Sequence, residues 1–495
     1  MDKEIKVRVF RYDSGKSWYQ DYEVRYTPPV TILDLLRLIN QEQDPCLAFR
    51  SSCGMGKCGS CALSVNGKPV LSCQEVVKGE EILIEPLPNF PVVKDLIVAR
   101  DRYEERMISV LEAEPAFPLL PPRPSDDPIW PECVECLACD GACPLVAEIP
   151  QRYLGPALMA GTADLKKATP LREWESAYHC LLCGECTAIC PSKVRMDDIL
   201  LEARKESTRR GRLPLSLQRL GRNIATTHNI SGQENQSRLL WKEEVPSRFA
   251  EGAQTLYFVG CLASLFPSLY GTPRSFAALL EASRVDYGLL DGEEWCCGYP
   301  LILNGMMEEA KEVATHNLQK VKERGVKRVV MTCPSCYYTW REGYKALTGE
   351  ETGVEVVHAT QLLAELLDKK RLRIKGLSMK VTYHDPCDLG RKSWIYEAPR
   401  RILESIPGLT LVEMRKNREE ALCCGGGGNL ESYAPEIMAA IAQERLREAE
   451  ETSAEAIVTA CPQCQRTLRE AARKLRAYLP VFDVVELLWR ALEAS

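Results

Sequence analysis

The opening residues Met-Asp-Lys-Glu-Ile-Lys-Val-Arg-Val-Phe alternate charged and apolar side chains, the period of a strand with one buried face and not that of a secretory leader. Strand-like runs broken by turns such as Asn66-Gly67-Lys68-Pro69 continue to about residue 87. One segment departs from this pattern: residues 31–39 set Leu33, Leu35, Leu36, Leu38 and Ile39 behind Thr31, a residue able to cap a helix. A small half-open sheet crossed by one helix is expected. A proline-rich connection at 117–128 leads to a mostly helical segment ending near Leu220, and the polar stretch 226–237 reads as a linker. Seven basic residues against one acidic between 204 and 222 are more simply a solvated helix face than a dock for an acidic partner.

The remainder is a duplication. Cys261, Cys296, Cys297, Cys333 and Cys336 recur as Cys387, Cys423, Cys424, Cys461 and Cys464, at offsets of 126, 127, 127, 128 and 128 residues. Each copy has a β-rich run before its first cysteine (255–259; 380–383) and another before its last pair (327–331; 456–458), with helical patterns at 306–322 and 434–449 between them. Alternating strand and helix implies two α/β units.

Composition narrows the class. The 495 residues suffice for roughly three domains. A hydrophobic content of 45% with 27% charged residues excludes a disordered or collagen-like chain, and a net charge of −6 gives no global attraction to nucleic acid. The longest apolar stretch, 256–266, is too short to span a bilayer, so the expected location is the cytoplasm, peripheral to a membrane only through partners. The count that changes the picture is 23 cysteines, an odd number that includes the adjacent pairs Cys296-Cys297 and Cys423-Cys424. Adjacent cysteines make poor disulfides, and a reducing compartment leaves thiolates for metals.

Their spacing indicates which metals. Cys53, Cys58 and Cys61, with Cys73 further on, have the plant-type 2Fe-2S pattern. Gly54, Gly56 and Gly59 allow that loop to turn its amides toward sulfur. The same stretch matches G-x-G-x-x-G, but without a βαβ unit around it a dinucleotide site is not expected. Cys133, Cys136, Cys139 and Cys143, then Cys180, Cys183, Cys186 and Cys190, each followed by proline, are two copies of the run in which the fourth cysteine ligates the other cluster. One 4Fe-4S cube is therefore assigned Cys133, Cys136, Cys139 and Cys190, and the other Cys180, Cys183, Cys186 and Cys143. Zinc fits either arrangement poorly.

Residues 1–205 resemble the iron–sulfur subunit of succinate dehydrogenases and fumarate reductases. The likeness rests on Ala48-Phe49-Arg50-Ser51-Ser52-Cys53, Cys58-Gly59-Ser60-Cys61, Pro86-Leu87-Pro88 with Val92-Val93-Lys94-Asp95-Leu96, and Tyr153-Leu154-Gly155-Pro156-Ala157. In that family the last motif usually lacks its second cysteine and holds a 3Fe-4S cluster; here Cys183 is present, which implies a cube. Residues 250–490 resemble the CCG domain of heterodisulfide reductases through Tyr257-Phe258-Val259-Gly260-Cys261, Cys296-Cys297-Gly298, Tyr383-His384-Asp385-Pro386-Cys387, Leu389-Gly390-Arg391 and Cys423-Cys424-Gly425-Gly426. Two complete five-cysteine sets imply two non-cubane 4Fe-4S clusters, with zinc in one repeat as the alternative. The two halves in this order resemble the iron–sulfur chain of the thiol:fumarate reductase family.

The fold class implied is multidomain α+β and α/β. It comprises a β-grasp 2Fe-2S ferredoxin domain (1–100), a helical domain for two 4Fe-4S clusters (101–225), a linker (226–250) and two α/β CCG repeats (251–375 and 376–495). The resemblance further implies thiol chemistry at the ten C-terminal cysteines, with coenzyme M and coenzyme B joined as a heterodisulfide. A cluster relay would lead to fumarate reduction at the FAD of a partner flavoprotein, since the chain has no credible flavin site of its own. His384, beside Asp385, would supply a proton or, more simply, hydrogen-bond a cluster sulfur. The alternatives are exchange with menaquinone through a CCG-docked membrane anchor, and a zinc-stabilised docking module without catalysis. Cys46, outside every set, is expected to be a buried core thiol.

Overall fold

In the computed structural model the alternating N-terminal pattern forms β1 (Lys3–Asp13), whose Ile5, Val7 and Val9 are buried while the charged residues between them face out. It pairs antiparallel with β2 (Lys16–Tyr26) and parallel with β5 (Glu81–Glu85). The sheet continues through β3 (Ala62–Val65) and β4 (Lys68–Leu71), in the order β2-β1-β5-β3-β4. Asn66 and Gly67 join β3 to β4 with φ of 52° and 83°, the two left-handed positions of a tight hairpin. Helix α1 (Ile32–Glu42) covers one face, and the Thr31 side chain accepts from Asp34 N in a capping box.

The described residues are 2–112, 133–164, 174–244 and 252–493; the proline-rich stretch 117–128 lies outside them. Two units divide the chain: Met1–Ala177 with Gly184–Ala203, and Tyr178–Cys183 with Arg204–Ser495. The first contains the sheet and short helices such as Ala138–Ala142 and Pro156–Asp164.

The second unit is built on two parallel sheets. In the first repeat β6 (Thr255–Tyr257), β7 (Arg328–Met331) and β8 (Glu355–His358) stand in the order β8-β7-β6. In the second, β9 (Met379–His384), β10 (Leu409–Leu411), β11 (Ala456–Thr459) and β12 (Val481–Asp483) stand in the order β10-β9-β11-β12. The counterpart of β10 in the first repeat is reduced to an isolated bridge between Leu256 and Gly288. All four residues of β11 are buried, as expected of a parallel strand covered on both faces. The repeats share one core: Tyr257, Phe276 and Leu363 of the first join Val381, Tyr383, Val458 and Leu488 of the second in a single buried cluster.

Three expectations need correction. Residues 226–244 are not a solvated tether: helix Leu215–Thr227 and the 3-10 run Asn235–Glu244 bring Asn229, Arg238 and Trp241 to 2% exposure or less. The Asn, Gln and Ser residues that suggest a linker are used in local hydrogen bonds, such as Asn229 Nδ2 to Gln233 O and Ser231 Oγ to Asn229 Oδ1. The basic run is not wholly a solvated face, because Arg204 is buried, donating to Leu303 O at 2.8 Å and Cys180 O at 2.6 Å. Cys46 is exposed, in the turn after α1. Trp241→Ala is expected to destabilise the chain by about 3–5 kcal/mol in chemical denaturation, the cost of emptying a core aromatic site. Trp394→Ala, at a 74% exposed position, is expected to change stability by less than about 0.5 kcal/mol.

Candidate metal centres and the cavity between the repeats

In the first unit the β3–β4 hairpin brings Cys61, just before β3, toward Cys73, just after β4; Ser72 N donates to Cys61 O at 3.1 Å. Cys53 and Cys58 are carried by the preceding loop, where Met55 N and Lys57 N each donate to Cys53 Sγ at 3.4 Å. Burial pushes the Cys73 thiol up to about 11, while a hydrogen bond from Ser60 lowers the more exposed Cys58 to about 6. A side chain on Gly59, at φ +67°, would come within 2.2 Å of Val134 O and 2.9 Å of Cys136 Cα. The loop that carries Cys53 and Cys58 therefore lies directly against the loop of the next cysteine motif.

Cys133, Cys136, Cys139 and Cys190 line one small cavity, together with Ala157, Pro191 and Val194. The fourth cysteine of the second motif is thus brought to the first three of the first motif. Glu135 N and Val194 N donate to the sulfurs of Cys133 and Cys190 at 3.4 and 3.3 Å. Cys143 and Cys186 belong to the first unit, and Cys180 and Cys183 to the second, where Leu182 N donates to Cys180 Sγ at 3.3 Å.

In the second unit each repeat brings its five thiols together as a run of interacting neighbours. The order is Cys261, Cys296, Cys297, Cys336, Cys333 in the first repeat. In the second it is Cys387, Cys423, Cys424, Cys464, Cys461, with Cys424 and Cys464 at 3.2 Å. Local structure explains the match. Cys333 and Cys461 follow β7 and β11 and precede helices Pro334–Tyr338 and Pro462–Leu475, each with proline at its first position. Gly298 and Gly425, at φ +89° and +85°, turn their amides back to Cys296 Sγ and Cys423 Sγ at 3.5 and 3.4 Å. At Gly425 there is no room for a side chain, since a Cβ would lie 2.5 Å from Met438 O; at Gly298 a Cβ would press on Val313 Cγ2 at 3.0 Å. Cys297 is lowered to about 6 by hydrogen bonds from Cys296 and Cys336, and Cys336 is raised by the same pairing.

Nine of these ten cysteines, all but Cys423, line a cavity of about 300 Å³ whose wall also includes Val259, Phe266, Leu303 and Arg466. Cys423 instead touches Cys183, whose carbonyl accepts from Arg391 Nε at 2.8 Å. The loop 180–183 lies close over the glycine run, since a Cβ on Gly428 would come within 2.1 Å of Cys180 O. Spacing within the motifs does not reveal this contact.

His384 ends β9, 1% exposed. Arg445 Nε donates to its Nδ1 at 3.0 Å, and a ring nitrogen lies within 4.8 Å of the sulfurs of both Cys424 and Cys464. An accepting Nδ1 assigns the proton to Nε2. Asp385 does not join the cavity; it clamps Arg400 with two 2.8 Å bonds. Sequence reasoning missed Arg238, which donates from Nη2 to Cys261 Sγ at 3.0 Å.

These arrangements define one component of an iron–sulfur oxidoreductase, assembled from ferredoxin-type and cysteine-rich modules. The 2Fe-2S iron-sulfur cluster binding domain matches residues 6–105, the 4Fe-4S dicluster domain residues 130–194, and the cysteine-rich domain residues 255–341 and 381–469. One of the chains of the fumarate reductase (CoM/CoB) of Methanothermobacter marburgensis is 30% identical over 98% of both sequences, and the protein belongs to that family. One of the chains of the dihydromethanophenazine:CoB–CoM heterodisulfide reductase of Methanosarcina acetivorans is 33% identical, over 66% of this chain and 80% of its own. The EtfAB:quinone oxidoreductase of Syntrophomonas wolfei is 29% identical, over 64% of this chain and 47% of its own. Among the described residues no helix is long and apolar enough to cross a membrane.

Gly425→Ala is expected to cost at least ~2 kcal/mol in denaturation, because strained backbone and steric overlap coincide there. Cys46→Ser, at an exposed turn, is expected to stay within about 0.5 kcal/mol of the parent.

Proposed function

We propose that the chain is the iron–sulfur subunit of a complex that oxidises two thiols to a disulfide in the cavity between the repeats and reduces fumarate at the FAD of a partner flavoprotein. The reaction balances: two thiols and fumarate give one disulfide and succinate, with two electrons and two protons transferred. The observation that carries this reading is the single cavity onto which both five-cysteine chains open. The relative named for coenzymes M and B, matched along the whole chain, supports that thiol pair as the substrate.

The donor sets fit the groups expected. In the first unit we assign Cys53, Cys58, Cys61 and Cys73 to a 2Fe-2S cluster on a β-grasp frame, and Cys133, Cys136, Cys139 and Cys190 to a cube. Cys143, Cys180, Cys183 and Cys186 are assigned to a second cube, and each CCG repeat to a non-cubane 4Fe-4S cluster. Two features support sulfur clusters over zinc in the repeats: a run of five neighbouring thiols exceeds a tetrahedral set, and amides already point at the sulfurs. When bound, such clusters exchange single electrons and offer iron to a substrate sulfur.

The chain's own residues prepare the cavity. Val259, Phe266 and Leu303 give the wall beside the sulfurs an apolar lining. Arg466, held by Glu431 at 2.6 Å and lying over the Phe266 ring at 4.2 Å, places a guanidinium on the wall, where it would meet an anionic terminus on a thiol. His384 accepts from Arg445 at Nδ1 and keeps a buried Nε2 without a hydrogen-bond partner, a proton it would offer to a sulfur of the second repeat. The interaction of Cys183 with Cys423 supports the second repeat as the one that exchanges electrons through Cys183.

Anaerobically purified chain is expected to hold roughly 18 iron atoms and no zinc; a value of about 14 with one zinc would assign zinc to one repeat. Cys183→Ser is expected to yield a 3Fe-4S signal by EPR. For the complex with its flavoprotein, Cys297→Ser combined with Cys424→Ser is expected to abolish thiol-dependent fumarate reduction and leave reduction by an artificial dye. A parent complex that takes electrons from a quinol and none from the thiol pair would overturn the proposal in favour of quinone exchange.

A further inference from the structure

The two repeats share a frame but differ in the charge beside their sulfurs. Arg238 is 2% exposed, and its guanidinium donates from Nη2 to Cys261 Sγ at 3.0 Å. Nη1 donates to Glu294 Oε1 at 3.0 Å and to Ser264 Oγ at 3.1 Å, and Nε to Asn235 Oδ1 at 2.8 Å. Glu294 is itself fixed, accepting from Val259 N and Gly260 N at 2.9 Å each. The equivalent cysteine of the second repeat, Cys387, has the carboxylate of Asp388 at 3.9 Å, which is paired with Lys392 at 2.9 Å. The buried guanidinium Arg445 of that repeat meets His384.

A cluster gains negative charge on reduction. A cationic donor on one of its sulfurs stabilises the reduced state, more strongly where water is excluded. We infer that Arg238 is a positioning residue that makes the cluster of the first repeat the more readily reduced of the two. The inference rests on the reading that both repeats carry iron–sulfur clusters. It suits a reaction that releases two electrons together into ligand sets that take them singly: the repeat beside Cys183 passes electrons on, and the other holds one back.

The test is redox titration of the full-length holoprotein, followed by EPR, on three variants. Arg238→Gln should shift one C-terminal cluster to lower potential by about tenfold in its reduction equilibrium, ~59 mV for one electron. Glu294→Gln, which leaves the guanidinium uncompensated, should shift the same cluster upward. Arg238→Lys, which keeps the charge, should shift it down by less than the Gln variant. Opposite shifts from Arg238→Gln and Glu294→Gln cannot come from a general loosening of the fold. Full iron content with unmoved potentials, or with shifts of the same sign, would overturn the role of Arg238 alone. Loss of first-repeat iron from all three variants would assign Arg238 to holding the fold and likewise overturn it. A parent chain without iron in the first repeat would overturn the cluster reading itself.

Discussion

Five thiols strung neighbour to neighbour inside a protein, twice over, are the constraint from which the second unit is built. Buried sulfurs this close must share protons or give them up to a metal, and the lowering of Cys297 beside a raised Cys336 expresses that crowding. The arrangement persists because each cysteine is fixed by a rigid element. Cys333 and Cys461 stand between a parallel strand and a proline-started helix, and the paired cysteines precede glycines at positive φ whose amides turn back onto sulfur. Two such sets face one cavity because the repeats share a core.

Duplication supplied the frame, and the copies differ in what surrounds their cysteines. The fourth strand survives only in the second repeat. The segment Tyr178–Cys183 meets that repeat through Arg391 and the glycine run. The first repeat carries instead the buried Arg238–Glu294 pair against its first cysteine. Buried ion pairs are weak evidence for stability, since desolvation offsets much of their attraction. Here the pair lies against the Cys261 sulfur, so its charge falls on the thiol chain of the first repeat.

In the first unit the ligand loops are packed against each other. Gly59 has no space for a side chain because the backbone of Val134 and Cys136 occupies it. Cys61, Cys73 and Cys136 share one small apolar cluster with Leu33 and Leu71. The two cysteine-bearing loops therefore meet backbone to backbone.

Much of this was legible along the chain, because the signals are local. The cysteine spacings, the Thr31 cap, the Asn66-Gly67 hairpin and the constant offset between repeats each depend on residues a few positions apart, or on comparison of one segment with another. What only the tertiary structure decided depends on partners distant in sequence. Residues 226–244 look like a linker because their composition is polar, yet Asn235 reaches Gly292 and Glu294, and Arg238 reaches Cys261 and Glu294. Cys46 looks like core by residue type, yet a turn leaves it exposed. Arg204 reads as surface charge, yet carbonyls from three separate segments surround it. A polar side chain is solvated or buried according to whether the fold brings it hydrogen-bond partners, and neither composition nor periodicity records that.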